Sequence, residues 1–117
     1  MSFLNTALVF LMTFITMTVT AAPTGRVFVT NERSDTVSVI NGSTLEVEAT
    51  IEIGERPRGI GMSPDGSEVY VAVSEENRIK VINPETLTII REFDAGSDPE
   101  TFAVHPNGNI YLSLIHI

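Results

Sequence analysis

The sequence predicts an all-β fold built from a repeated four-stranded antiparallel meander, and three observations support this prediction. The 117-residue chain matches itself at one fixed offset of 42 residues, so that "GERPRGIGMSPDG" (Gly54–Gly66) returns as "GSDPETFAVHPNG" (Gly96–Gly108). Apolar residues within the unit alternate with a period of two, as they do in a half-buried strand. The segments between the apolar runs are rich in Gly, Pro, Asn and Asp, which favour turns.

Four short runs of the complete unit have the composition of strands, and each is followed by a turn sequence. The runs are "GIGMS" (Gly59–Ser63), "EVYVAV" (Glu68–Val73), "RIKVI" (Arg78–Ile82) and "LTIIREF" (Leu87–Phe93). The turn sequences are "SPDG", "SEENR", "NPET" and "GSDPE". Because apolar positions and turn formers recur together, we expect each repeat to form the same meander.

Four strands in about 42 residues is the pattern of one blade of a β-propeller. We expect a partial propeller over residues 22–111, with blade repeats at 27–68 and 69–109 and a third repeat that begins at Ile110. About two blades are then present, and we expect the chain to be an N-terminal fragment. Residues 112–117, "LSLIHI", match one reading frame of a transposon end used to prepare sequencing libraries, so we expect an adapter-derived tail there.

The N-terminal segment predicts export. An uncharged apolar run from Ala7 to Val19 is followed by the small residues of "TAAPTG". This pattern is typical of a signal peptide, here residues 1–21 with cleavage after Ala21. The alternative is an uncleaved membrane anchor, because residues 3–22 approach the ~20 residues that span a bilayer. After cleavage, we expect a periplasmic protein without stable membrane association.

Charge and composition exclude several function classes. Seven basic against fifteen acidic residues make the chain net negative, which disfavours binding to nucleic acid. The absence of cysteine excludes disulfides, thiolate metal sites and cysteine nucleophiles. His105 has no second histidine or carboxylate cluster at ligand spacing, so we expect no metal or other cofactor on this chain.

The strand and loop sequences resemble those of one family of repeat proteins. "FVTN" (Phe28–Asn31), "SDTVSVI" and "PRGIGMSPDG" resemble the YVTN-type propeller repeat, and "YVAVSEENRIKVI" and "DPETFAVHPNG" resemble exported β-propellers associated with pyrroloquinoline-quinone (PQQ)-dependent alcohol catabolism. The resemblance implies a periplasmic, non-catalytic propeller that accompanies a quinoprotein dehydrogenase. It supplies no catalytic residue to assign to this chain.

Loop parity predicts where a ligand would bind. Successive connections of a meander alternate between the two ends of the sheet, so the loops "NERSD", "GERPR", "SEENR" and "GSDPE" share one end. This end collects the candidate binding residues Arg33, Arg56, Arg58 and Arg78 together with several carboxylates. A guanidinium suits a carboxylate, so a small acidic ligand or an acidic partner surface is one expectation. The alternative is that these arginines form ordinary ion pairs with neighbouring glutamates.

Two functions follow from these patterns. The first is a non-catalytic binding or scaffold module associated with quinoprotein alcohol oxidation. The second is the propeller domain of a redox enzyme, similar to the haem-binding propeller of nitrite reductases or to the heavy chain of amine dehydrogenases. Histidine or cysteine ligands for a cofactor, in further blades, would favour the second.

Overall fold

The computed structural model describes residues 24–114, which form three antiparallel sheets. The first sheet contains β1 (Arg26–Asn31), β2 (Thr36–Asn41) and β3 (Val47–Glu52). The second contains β4 (Pro57–Met62), β5 (Val69–Val73), β6 (Arg78–Asn83) and β7 (Thr88–Asp94), and the third contains β8 (Pro99–Val104) and β9 (Ile110–Leu114). Within each sheet, the strands lie side by side in sequence order. The predicted all-β fold with four-stranded meander blades is confirmed.

Local backbone geometry explains where the observed strands differ from the predicted runs. β4 begins two residues early, because Pro57 already pairs with Val73. Leu87 belongs to a turn, since its φ is 59° and its N–H donates to the carbonyl of Asn83 at 2.9 Å. The predicted loop "SEENR" contains a 3₁₀ turn over Ser74–Glu76.

The core lies between the sheets, and β5 contributes to both of its halves. All five residues of β5 are buried. Val69, Val71 and Val73 pack toward the first sheet, together with Val37 and Ile53, among others. Tyr70 and Ala72 point the opposite way and pack with Phe102 and Leu112 of the third sheet, among others. The period-two pattern therefore assigns each face of a strand to a different neighbouring blade.

Two glycines allow adjacent blades to approach closely at their innermost strands. A Cβ placed on Gly59 would lie 2.6 Å from the carbonyl oxygen of Glu100, and one on Gly61 would lie 2.8 Å from the ring of Phe102. Neither separation can accommodate a side chain without movement. The missing Cβ atoms thus bring the start of β4 beside the start of β8, where the charged loops begin.

Several sequence predictions concern residues outside the described range. The leader, its cleavage after Ala21 and the anchor alternative lie in residues 1–23, which are not described, and residues 115–117 of the proposed tail are likewise outside. Leu112–Leu114 are described and continue β9, where Leu112 pairs with Phe102. In the described part of the chain, no helix is long and apolar enough to cross a membrane.

Candidate functional site

The candidate site is built on the connection between β3 and β4, where Arg56 adopts a left-handed backbone with φ 62° immediately before Pro57. Its N–H donates to Oδ1 of Asp35 at 3.0 Å, and its carbonyl accepts from the N–H of Ser74 at 3.1 Å and the hydroxyl of Ser74 at 2.9 Å. The loops that follow β1 and β5 therefore fix the backbone from two sides.

The next blade repeats this backbone geometry with a different side chain. Asp98, 42 residues after Arg56, has φ 49°, and its N–H donates to Oδ1 of Asn77 at 2.8 Å. Asn77 in turn follows Asp35 by the same 42 residues, and both have positive φ. The left-handed turn is thus a property of the repeat, whereas the arginine is specific to one blade.

Two arginines and three glutamates converge at this end of the sheets; they are hereafter called the loop cluster, which consists of Glu32, Arg56, Arg58, Glu75 and Glu100. Oε1 of Glu32 lies 2.9 Å from Nε of Arg56 and 3.3 Å from Nε of Arg58. Nη1 of Arg56 lies 3.1 Å from Oε1 of Glu75, and Nη1 of Arg58 pairs with Oε1 of Glu100. Residues from all three sheets, or from the loops next to them, thereby form one network.

Exposure differs across the loop cluster. The side chain of Arg58 is 17% exposed, whereas that of Glu32 is 49% exposed. Hydrogen bonding to Arg56, assisted by Arg58, holds the pKa of Glu32 below its ordinary value despite some desolvation. The same contact with Glu32, and a second with Glu75, raises the pKa of Arg56. Each of Glu32 and Arg56 therefore stabilises the charged form of the other.

An open groove lies beside the loop cluster, at the start of β4 and β8. Its volume is about 530 Å³, and it is lined by residues Thr30, Glu32, Pro57, Arg58, Gly59, Glu100 and Thr101. The hydroxyl of Thr30 donates to the carbonyl of Arg58 at 2.8 Å, which fixes the groove wall. The groove presents a guanidinium between two carboxylates, so its chemistry suits recognition of charged groups.

The structure brings two of the four predicted arginines together and separates the other two. Arg56 and Arg58 share Glu32, whereas Arg78 pairs with Asp94 at 3.1 Å on the β6–β7 edge. Arg33 is exposed in the β1–β2 loop, and no ion pair involves it among residues 24–114. Sequence reasoning missed the positioning role of Ser74. The sequence did contain a signal for the positioning role of Asp35, because an asparagine, Asn77, stands at the equivalent position of the next repeat.

The opposite end of the sheets also carries an ion pair. Arg26 pairs with Glu48, and its Nη1 donates to the carbonyls of Pro84 at 2.8 Å and Glu85 at 3.0 Å. Arg26 therefore ties the first sheet to the β6–β7 turn of the second. A groove of about 630 Å³ opens beside it.

His105 has a structural partner in the turn before β9. Its Nδ1 accepts a hydrogen bond from the N–H of Asn107 at 3.2 Å, and its ring packs edge-on against Tyr111 with centroids 6.1 Å apart. In the described range, no group of three or more His, Cys, Asp or Glu side chains is placed to hold a metal ion.

Comparisons with known proteins agree with this architecture. A family model of YNCE-like β-propellers matches residues 6–115. Comparison with curated protein sequences finds no significant match. Several solved structures share the fold. Hydrazine synthase from Kuenenia stuttgartiensis has a TM-score of 0.72 and 23% identity, over 80% of this chain and 27% of that chain.

The dihydro-heme d1 dehydrogenase NirN, in complex with DHE, has a TM-score of 0.67 and 23% identity, over 79% of this chain and 20% of that chain. A functionally unknown protein from Desulfotomaculum acetoxidans has a TM-score of 0.68 and 22% identity, over 83% of this chain and 33% of that chain. The chain thus spans between 20% and 33% of the length of these structures.

Proposed function

The chain belongs to the YNCE-like β-propeller family, and we propose that it serves as a non-catalytic binding or scaffold module whose loop cluster faces the partner. We further propose that it acts in the periplasm beside a quinoprotein, PQQ-dependent alcohol dehydrogenase. The predicted apolar leader that ends at Ala21 supports the proposed location. The strand and loop sequences of the two repeats support the proposed partner, through the family resemblance described above.

One observation carries the binding role. The backbone turn at Arg56 recurs at Asp98, yet the side chains at this position and at the position two residues later have opposite charge in the two blades. A shared backbone with blade-specific charges is expected where loops on a rigid scaffold recognise a partner. The reversal from Arg58 to Glu100 also forms an ion pair between the blades, whereas Arg56 pairs with Glu32 and Glu75 and not with its repeat equivalent Asp98.

Direct binding tests this proposal. The Kd between the full-length protein and a purified quinoprotein alcohol dehydrogenase would be measured by interferometry at two salt concentrations. We expect Arg56→Ala combined with Arg58→Ala to raise Kd at least about tenfold, since charged pairs at a desolvated interface can each contribute over 1 kcal/mol. Arg91→Ala serves as the matched control, because Arg91 pairs with Glu68 away from the loop cluster. Equal loss in both variants, or no binding by the unmodified protein, would contradict the proposal.

The second candidate is the propeller domain of a redox enzyme. It is favoured by the structural neighbours, two of which are a hydrazine synthase and a dihydro-heme d1 dehydrogenase. An absorption spectrum of the purified full-length protein separates the two candidates. A haem or quinone band that persists through gel filtration would favour the enzyme, and would replace the scaffold proposal.

A further inference from the structure

Glu32 occupies a position that a ligand carboxylate could take. Its Oε1 atom accepts from Nε of Arg56 at 2.9 Å and from Nε of Arg58 at 3.3 Å, so a single oxygen bridges two guanidinium groups. Convergent guanidinium groups are the arrangement that proteins use to recognise carboxylates. The loop cluster therefore already binds a carboxylate, and that carboxylate belongs to the chain itself.

Glu32 is also the member of this trio that can leave most easily. It lies in the β1–β2 loop and its side chain is 49% exposed, whereas Arg58 lies in β4 and its side chain is 17% exposed. Exposed ion pairs contribute only ~0–1 kcal/mol each, so an incoming carboxylate can displace Glu32 at a small cost in free energy. The side chain of Arg56 is 39% exposed, and the backbone of Arg56 is held by Asp35 and Ser74.

The backbone at Arg56 shows how this side chain is held at the loop cluster. A φ of 62° in a residue that precedes proline is unfavourable for a long side chain, and glycine or asparagine would relieve it. The same turn recurs at Asp98, with φ 49°, so it is a feature of the repeat. A strained residue persists when the surroundings support it. Here, Asp35 and Ser74 supply that support through three hydrogen bonds.

We propose that Arg56 and Arg58 form a carboxylate-binding site that Glu32 fills as an internal ligand, and that an external carboxylate displaces Glu32 when it binds. This inference rests on the proposed function, because it names the chemistry by which the loop cluster recognises its partner. The external carboxylate belongs either to a free dicarboxylate or to an acidic side chain of a protein.

The test is a titration of the full-length protein by calorimetry with two probes, succinate and a blocked peptide containing two consecutive glutamates. Glu32→Gln removes the internal carboxylate and leaves two guanidinium groups facing Glu75 and Glu100. We expect this variant to bind one of the probes about three- to tenfold more tightly than the unmodified protein, as loss of one or two exposed ion pairs allows. Tighter binding of succinate alone identifies a small ligand, and of the peptide alone a protein ligand.

Glu75→Gln is the matched control, because Glu75 contacts Arg56 and no other arginine within residues 24–114. We expect it to change affinity by less than half as much as Glu32→Gln. Combining Glu32→Gln with Arg58→Ala should abolish the gain. Equal gains in Glu32→Gln and Glu75→Gln would mean that only net charge matters, and would overturn the proposal.

Circular dichroism of each variant confirms that it is folded, and a folded Glu32→Gln protein that binds neither probe would also overturn the inference. The proposed function fails separately, since it depends on the dehydrogenase titration. If the double arginine variant loses dehydrogenase binding while no variant binds a carboxylate probe, the docking role stands and the displacement of Glu32 is wrong.

Discussion

The close approach of β4 and β8 makes Gly59→Ala an informative perturbation. A Cβ at residue 59 would lie 2.6 Å from the carbonyl oxygen of Glu100 and 2.9 Å from Cα of Thr101, whereas ordinary contacts begin near 3.4 Å. The two strands must therefore separate by about 0.8 Å, the difference between 3.4 and 2.6 Å. Both contacted atoms are backbone, so no rotamer change relieves the overlap.

The sign of the change in the free energy of unfolding distinguishes close packing at Gly59 from the usual effect of replacing glycine by alanine. Replacing glycine by alanine at a compatible backbone position usually stabilises a protein by about 0.4–1 kcal/mol, through the unfolded state. Overpacking costs about 1–3 kcal/mol. We therefore expect Gly59→Ala to lower the free energy of unfolding by about 1–2 kcal/mol and to disturb the ion pair between Arg58 and Glu100, because the same strands carry both.

Urea denaturation of the full-length protein, followed by far-ultraviolet circular dichroism, measures this change. Thr101→Ala is the control, since Thr101 follows Gly59 by one 42-residue repeat and is exposed. We expect that control to stay within about 0.5 kcal/mol of the unmodified protein. A Gly59→Ala protein as stable as the original, or more stable, would show that the innermost strands do not pack as described.

Three further predictions concern charge, pH and assembly. Combining Arg56→Ala with Arg58→Ala should leave the Tm of the full-length protein nearly unchanged, because the glutamates that pair with these arginines are 41–54% exposed and such pairs contribute little; a large fall in scanning calorimetry would make the arginines structural. Hydrogen bonds from the backbone and hydroxyl of Ser67 and from Ser63 lower the pKa of Asp65 to about 2 from 3.8, so the folded state binds fewer protons between these values. Stability from this carboxylate is thus fully present above about pH 4 and lost as pH falls through about 2, and acid titration of Asp65→Asn should show a flatter dependence. A polypeptide of residues 22–117 alone should associate, because Val27 is 49% exposed where its repeat equivalent Val69 is 1% exposed; a monodisperse monomer with one steep denaturant transition would refute this.

The strands could be predicted because their signals are local. Alternation places Val69, Val71 and Val73 on one face, and proline, glycine and aspartate mark the turns between strands. The strand ends could be predicted only to within two residues. Whether Leu87 ends a turn or begins a strand depends on its left-handed backbone, which no leucine propensity indicates.

The loop cluster could be predicted only in part. Meander parity places the charged loops at one end, and this is sufficient to bring Arg56, Arg58 and Glu32 into the same region. It cannot say that one oxygen of Glu32 contacts both arginines, because that contact depends on how close neighbouring blades lie. Meander parity also does not show that Arg78 lies outside the loop cluster, where it pairs with Asp94 of its own sheet.

The turns show which parts of the repeat are free to vary. Ser63 and His105 occupy the same position, and each supplies a side-chain acceptor for a turn N–H, through Oγ to Glu68 and through Nδ1 to Asn107. The donors differ, because Glu68 lies five residues after Ser63 and Asn107 lies two residues after His105. The hydrogen bond that recurs is a backbone one, from Gly66 to the carbonyl of Ser63 at 2.9 Å and from Gly108 to that of His105 at 2.8 Å. At the loop cluster, by contrast, Arg58 is replaced by Glu100 and the charge is reversed. Because these equivalent positions lie side by side in adjacent blades, the reversal itself creates an ion pair between them. The repeat thus keeps its turn through equivalent backbone hydrogen bonds, whereas the charge reversal at residues 58 and 100 makes this blade junction chemically distinct.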